Sequence, residues 1–317
     1  MQDADRLMHA EYSGLKILVT GASGFIGSHL CRQLLQSGAD LHAVSRRPRS
    51  GTNDAIQWHH ADLSTHEAVL DLFKEVKPDI VFHLASEVTG SRDMKIVLPT
   101  FRANLMSTVN ILLAAAEQRC RRVVLAGSLE EPEGDGQRMI PSSPYAAAKS
   151  AAGAYARMFH ALYDTPVVTA RIFMVYGPGQ QDLRKLVPYV TLALLRGETP
   201  KLSSGLRPVD WIYVGDIVDG LLAMGIAPGI TGTTLDLGSG TLMTTRQVVE
   251  MLCDILRTEI RPDFGAIPDR PMERIIGASV EDTRRMLGWQ PSISLRTGLE
   301  RTVDWYRQRL ELGEIVG

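Results

Sequence analysis

The sequence predicts an α/β fold, a doubly wound parallel sheet joined to a smaller C-terminal lobe. Short apolar runs rich in β-branched residues recur at 15–20, 40–45, 79–85 and 121–127. Helical patterns such as HEAVLDLFKEV (66–76) and TFRANLMSTVNILLAAAEQ (100–118) lie between them. The runs are apolar throughout rather than alternating, which is the mark of strands covered by helices on both faces.

The elements follow in order. LKILVT (15–20) is the first strand and opens into a glycine-rich turn; a periodic apolar segment then runs through Leu35. DLHAVS, DIVFHLA and RRVVLAG supply further strands, and TPVVTARIF (165–173) another. The rhythm then changes to the turn-forming YGPGQ (176–180), a helix around 183–196 and several short segments. TTLDLGSG (233–240) returns a strand to the main sheet. The expected organisation is a polar tail over 1–13 and a dinucleotide-binding domain over 14–171, with roughly 204–237 returning to it. A substrate-binding lobe is expected from 172–203 and 238–317.

Composition bounds the function. Of the 317 residues, 44% are apolar and 22% charged, ordinary for a soluble enzyme. Lys plus Arg (34) nearly balances Asp plus Glu (36), so no basic field points to nucleic acid. Three widely spaced cysteines, Cys31, Cys120 and Cys253, form no disulfide framework and suit a reducing compartment. No apolar run is read as reaching spanning length, and the N-terminus lacks a hydrophobic signal core. A cytoplasmic protein with no membrane and no nucleic-acid partner is expected. The eight histidines, His59 and His60 included, show no metal-ligand spacing, and no metal is expected.

VTGASGFIGSHL places Gly21, Gly24 and Gly27 between a strand and a helix. Gly21 permits the tight turn, Gly24 admits a pyrophosphate to the backbone, and Gly27 lets helix and strand pack closely. With Ser23, Phe25 and Ile26, this is the phosphate-binding turn of a Rossmann-type domain. Its G-x-x-G-x-x-G spacing resembles the extended short-chain dehydrogenase/reductase family, the NAD-dependent epimerases and dehydratases that mostly modify nucleotide-activated sugars. Other landmarks occur in order: Asp62 and Leu63 in ADL resemble the pair beside adenine, and Leu84, Ala85 and Ser86 in HLAS the loop after the fourth strand. Asn104 resembles the family's helix asparagine. The resemblance implies a cofactor role for these residues, Ser86 being assigned to substrate, and it runs from about residue 15 to WQPSISLRTGLERTVDWYR near the end.

Catalysis is expected from SPYAAAKSAAGAYARMF. Tyr145 and Lys149 are four apart, on one face of a helix. A neighbouring ammonium favours the phenolate and brings the Tyr hydroxyl toward the working range; the resemblance adds a Lys149 hydrogen bond to the nicotinamide ribose. Ser128, at the end of the fifth strand, is placed to share the substrate oxygen with Tyr145. Glu130 is read either as a proton-transfer acid or base, as in several related enzymes, or as part of a solvated acidic loop with Glu131, Glu133 and Asp135. His83 is read as a packing residue. The small residues around Tyr145 (Ala146, Ala147, Ala148, Ala151, Ala152, Gly153, Ala154) allow close backbone approach, and in this family that helix often pairs across a two-fold axis. A homodimer is expected.

Two positions depart from the family pattern. Met174 in IFMVYGP stands where an asparagine usually contacts substrate, and Val209 in VDWIYVGD where an arginine usually contacts the nucleotide phosphates. Arg207, two residues earlier, and Arg270 in PDRPMER are the candidates for that diphosphate, with solvated surface arginines as the alternative.

The second strand ends in Ser45, Arg46 and Arg47, where many such domains carry a carboxylate that repels a 2′-phosphate. These residues favour NADP(H) as cofactor, with NAD(H) as the alternative. The reading that follows is an NADPH-dependent reductase of a nucleotide-diphosphate keto-sugar of the 4-keto-deoxyhexose class. The alternatives are a redox-neutral 4-epimerase or 4,6-dehydratase with retained NAD(P), and a cofactor-binding protein without catalysis.

Overall fold

The computed structural model describes residues 11–46, 55–132, 140–272 and 274–315; Arg47 lies outside them. The described strands are β1 (Lys16–Thr20), β2 (Asp40–Ser45), β3 (Ile56–His60), β4 (Ile80–His83), β5 (Arg122–Ser128), β6 (Val167–Ile172), β7 (Met174–Tyr176), β8 (Lys201–Leu202), β9 (Pro208–Tyr213), β10 (Thr234–Leu237), β11 (Leu242–Thr244) and β12 (Asp263–Phe264). The helices are α1 (Phe25–Gln36), α2 (His66–Val76), α3 (Val97–Thr100), α4 (Ser107–Glu117), α5 (Pro144–Tyr163), α6 (Leu186–Leu195), α7 (Val214–Ile226), α8 (Thr245–Leu256), α9 (Val280–Leu287) and α10 (Leu295–Glu311); a π-helical turn, Phe101–Met106, joins α3 to α4.

Four of the five residues of β1 are buried in succession, as a strand covered on both faces requires. It sits inside a seven-stranded sheet of order β10-β6-β5-β4-β1-β2-β3, in which every pairing from β6 through β3 is parallel. Strand order reverses at β1, between β4 and β2, so a crevice opens beyond the carboxyl ends of β1 and β4, where such sheets bind ligands. Thr20 and His83 end these two strands in register. Strand β3 was not among the predicted strands. Its sequence, IQWHH, is half polar because it forms the sheet's edge and its residues are at most half-buried.

The chain divides into two compact units. The first comprises 1–172, 218–236 and 282–289, and the second 173–217, 237–281 and 290–317. The chain re-enters the first unit at Val218 rather than near 204, and the sheet itself at β10. Residues 204–217 belong to the second unit, because β9 pairs with β7 and β11 in a separate three-stranded sheet. In that unit one buried carboxylate, Asp210, accepts from the Ser239 amide and hydroxyl and from the Gly240 and Ala278 amides.

The tail expected through residue 13 is anchored before it ends. Tyr12 is fully buried, packs against Phe82 and donates its hydroxyl to the Leu222 carbonyl at 2.6 Å. Gly225 leaves room for that ring, since a Cβ there would overlap the Tyr12 hydroxyl. The polar neighbours of Tyr12 concealed a core residue.

Contrary to the reading of the sequence, the 24-residue run Met94–Glu117 is long and apolar enough to cross a bilayer by length and composition. In the fold its C-terminal half, α4, is a core helix, while Met94, Leu98 and Phe101 in its first half are exposed. Ile111, Leu112, Ala114 and Ala115 are fully buried with Phe73, Val81 and Val123 in the main cluster, and Asn110 donates to the Leu63 carbonyl at 2.9 Å.

Candidate active site

The glycine turn is fixed by contacts of its own backbone. Gly21 has φ +68°, and a Cβ there would stand 2.7 Å from the Ala85 amide nitrogen. A Cβ on Gly27 would overlap the Gly21 carbonyl oxygen, so α1 and the end of β1 meet backbone to backbone. Gly24 is the N-cap of α1 and supplies no side chain to its first-turn amides. A Cβ on Gly24 would meet only the Gly21 oxygen, at 3.2 Å, which leaves its outer side open. First-turn amides that receive no side-chain cap at a helix N-terminus fit a dinucleotide diphosphate. Ser23, Phe25 and Ile26 are half-buried beside this turn, as are Leu84 and Ala85 across from it.

At the adenosine end expected for such a cofactor, Ser45 closes β2 and Arg46 is exposed. Leu63 is buried; Asp62 is exposed and accepts from the Ser64 amide and hydroxyl. Those hydrogen bonds hold the Asp62 carboxyl below its usual range, with smaller help from Arg46 and Arg102.

Helix α5 begins at a strong local signal: the Ser143 hydroxyl accepts from the Ala146 amide, and Pro144 takes the first turn. This fixes Tyr145 and Lys149 one turn apart, both buried, with the Lys149 Nζ 5.9 Å from the Tyr145 ring centre. Ser128, also buried, ends β5 and accepts the Glu130 amide on its hydroxyl at 3.2 Å. Burial pushes the Tyr145 hydroxyl up to about 12; hydrogen bonding to Ser128 and, more weakly, Ser86 opposes this, while the charges of Glu130 and Glu131 add to it. The expected lowering of Tyr145 by a neighbouring ammonium is therefore outweighed in this structure. Lys149 is itself brought down to about 8 by burial, against the pull of Glu131, and donates to the Ala126 carbonyl at 2.7 Å.

Asn104 lies in the π-helical turn and is nearly fully buried. Its carboxamide oxygen accepts from the Ser86 hydroxyl (3.1 Å) and the Glu87 amide (2.7 Å), while its nitrogen donates to the Glu87 carbonyl at 3.1 Å. It thus seats the loop after β4 and turns Ser86 toward Tyr145. His83 is sandwiched by the Thr20 and Thr108 hydroxyls at 2.8 and 3.2 Å. Burial first, and Lys149 second, push it down to about 3, so it is a neutral packing residue.

The departures lie in the second unit. Val209 is buried in that unit's core beside Trp211, so its place in β9 is a packing position. Arg207 gives its guanidinium to the Arg274 carbonyl, through Nε at 3.2 Å and Nη2 at 2.9 Å. Arg270 lies in an exposed stretch, 265–272. Glu131, read from sequence as one more acid in a loop, turns inward and accepts the Ser128 amide at 2.7 Å. Only Gly127 and Gly153 hinted at it, since each lacks a side chain inside an otherwise regular element.

A protein-family model described as "NAD dependent epimerase/dehydratase family" matches residues 17–233. The UDP-glucose 4-epimerase of Mycolicibacterium smegmatis is 31% identical, over 93% of this chain and 99% of its own length. The dTDP-glucose 4,6-dehydratase 1 of Escherichia coli is 27% identical, over 92% of each. Among solved structures, an epimerase from Methanothermobacter thermautotrophicus superposes with a TM-score of 0.84 at 27% identity, covering 97% of this chain and 96% of that one. MoeE5, solved in complex with UDP-glucose and NAD, does so with a TM-score of 0.82 at 30% identity, covering 93% and 99%. With its glycine turn, parallel sheet and Ser-Tyr-Lys constellation in the order that the sequence implied, this chain belongs to the NAD-dependent epimerase/dehydratase family of extended short-chain dehydrogenases/reductases.

Proposed function

We propose that the chain is a redox-neutral nucleotide-sugar enzyme of the 4-epimerase or 4,6-dehydratase kind, holding its dinucleotide between turnovers. The observation that carries this is the buried Ser128–Tyr145–Lys149 group beside a glycine turn, in a chain that matches a UDP-glucose 4-epimerase over nearly the whole of both. The NADPH-dependent reductase read from Ser45, Arg46 and Arg47 fits these relatives less well, and nothing in them supports an NADP(H) preference.

Gly21, Gly24, Gly27, Asp62, Leu63, Ala85 and Lys149 are the residues that would hold the dinucleotide. Bound there, it supplies a hydride acceptor that can later return the hydride. The protein's own residues handle the proton and the geometry. Ser128 holds the reacting sugar oxygen, Tyr145 as the phenolate takes its proton and later, as the phenol, gives it back, and the Lys149 ammonium stabilises the phenolate that begins and ends the cycle. Glu130, close enough for its charge to act on Tyr145, moves the additional proton that a dehydration requires.

The test begins with denaturing freshly purified protein and identifying what dinucleotide it releases. Stoichiometric NAD, with UDP-glucose or dTDP-glucose converted and no net change in cofactor, is the expected result. An empty protein that oxidises NADPH with a nucleotide keto-sugar would overturn the proposal in favour of the reductase. Glu130→Gln then separates the two exits: in a dehydratase it abolishes product while leaving the initial reduction of bound cofactor intact, and in an epimerase it leaves product formation standing.

We also infer a homodimer. Met94, Leu98 and Phe101 along the run from Met94 into the π-helical turn, and Tyr155, Leu162 and Tyr163 on α5, leave large apolar side chains exposed on helical segments that pack together. Light scattering is expected to give twice the mass of 34.8 kDa; a monomer at all concentrations would refute it.

A further inference from the structure

Parallel-ladder geometry leaves a gap at the end of β5. The Val123 and Leu129 amides turn toward β6, bonding to Pro166 and Ile172, so the even-numbered residues of β5 turn toward β4. Strand β4 ends at His83, opposite Leu125, and the Ala85 amide that would continue its ladder goes to the Thr20 hydroxyl instead. The Ala126 carbonyl and the Ser128 amide are thus left without a strand. Two ionisable side chains take them: Lys149 the carbonyl and Glu131 the amide, each at 2.7 Å.

The sequence clears space for that carboxylate twice. A Cβ on Gly127 would stand 2.8 Å from Glu131 Oε1, and one on Gly153 3.2 Å from Oε2. Gly153 interrupts a helix otherwise dense in alanine, at a cost of about 1 kcal/mol relative to Ala. A buried strand glycine likewise forfeits packing, and often marks close approach of another group. A Cβ on Gly127 would also stand 2.9 Å from Thr169 Cγ2 on β6, so that glycine serves the sheet as well, whereas at Gly153 the carboxylate is the nearest neighbour.

We propose that Glu131 is a positioning residue for the catalytic pair: seated in the Gly127–Gly153 niche, it fixes the Ser128 end of β5 and keeps the buried Lys149 ammonium charged. Charges set by the fold hold it there. Burial raises its carboxyl on balance, and the Ser128 amide, Lys149, Arg171 and Arg157 oppose that in favour of the ionised form. Arg171 is itself held two-pronged by Asp236 at 2.6 and 2.9 Å. Around Lys149 stand Tyr145 on its own helix, His83 at the end of β4 and Glu131; of these, Glu131 is the anion that favours the ammonium. The inference rests on the catalytic reading of Tyr145 and Lys149, but it is testable without substrate.

The experiment is a pH titration of the full-length protein labelled with 13Cε-lysine, the Lys149 resonance being assigned through Lys149→Arg. Glu131→Gln keeps an oxygen acceptor for the Ser128 amide and removes the charge. The Lys149 midpoint is expected to fall by at least about half a pH unit, roughly a threefold change in its ionisation constant. An unmoved or raised midpoint, whatever happens to the melting temperature, would reduce Glu131 to a structural hydrogen bond and overturn the proposal. Should Glu131→Gln not fold, Gly153→Ala displaces the same carboxylate and is held to the same midpoint criterion. A fallen midpoint in a protein inert toward UDP-sugars and dTDP-sugars alike would refute the proposed function and leave this pairing standing.

Discussion

Replacing Tyr145 with Phe is expected to cut turnover by about 10²- to 10⁴-fold, the range for loss of a positioned proton-transfer group. Dinucleotide affinity and melting temperature should hardly change. The reason lies in how the side chain is held. Its ring is packed in the first turn of α5, and only the hydroxyl reaches Ser128. Phe keeps the packing and removes a buried polar group together with its partner contact, two effects of opposite sign and similar size. Single-turnover measurements of bound-cofactor reduction, alongside thermal melting, separate chemistry from folding. Turnover within tenfold of the unaltered protein would remove Tyr145 from the proton path.

Gly27→Ala is expected to be far more damaging to the fold than its single methyl group suggests. The added carbon would run into the Gly21 carbonyl oxygen, which is backbone and has no rotamer to yield. Separating α1 from β1 costs about 3 kcal/mol by comparison with other overpacked sites, and it spreads the turn proposed to hold the dinucleotide. Both melting temperature and dinucleotide affinity should therefore fall. Gly24→Ala is the useful contrast. Its methyl would meet the Gly21 oxygen only at 3.2 Å, so stability should largely survive while dinucleotide affinity drops at least tenfold. Equal melting temperatures for the two variants would disprove the division of labour among these glycines.

What could be read from the sequence is what short-range geometry dictates. Gly21 must turn within a few residues of a strand, and Tyr145 and Lys149 share a helix face whatever surrounds them. Ser128 was legible because a strand end in a parallel sheet faces the ligand crevice. Glu131 was not, because its niche joins residues 127, 131 and 153 only after β5 and α5 have packed. Tyr12 was missed for a similar reason: its partner carbonyl, Leu222, is 210 residues away. The Tyr145 expectation failed in one respect, since proximity to Lys149 was inferred correctly but the cost of burying both was not weighed against it. The second unit was least legible, because its short strands, β8 and β12 of two residues each, carry too little pattern to assign.

The interleaving of the two units bears on how the chain is made. Strand β6 is finished at Ile172, but the strand that covers its outer edge, β10, is not synthesised until residues 234–237. Until then a nascent chain displays Val167–Ile172, five of whose six residues are buried in the finished protein, as an unpaired apolar edge. That edge waits for more than sixty further residues, so folding during translation passes through a state prone to pair with other chains. A gene fragment cut neatly after residue 172 would freeze that state, and is a poor choice for expressing the sheet domain alone.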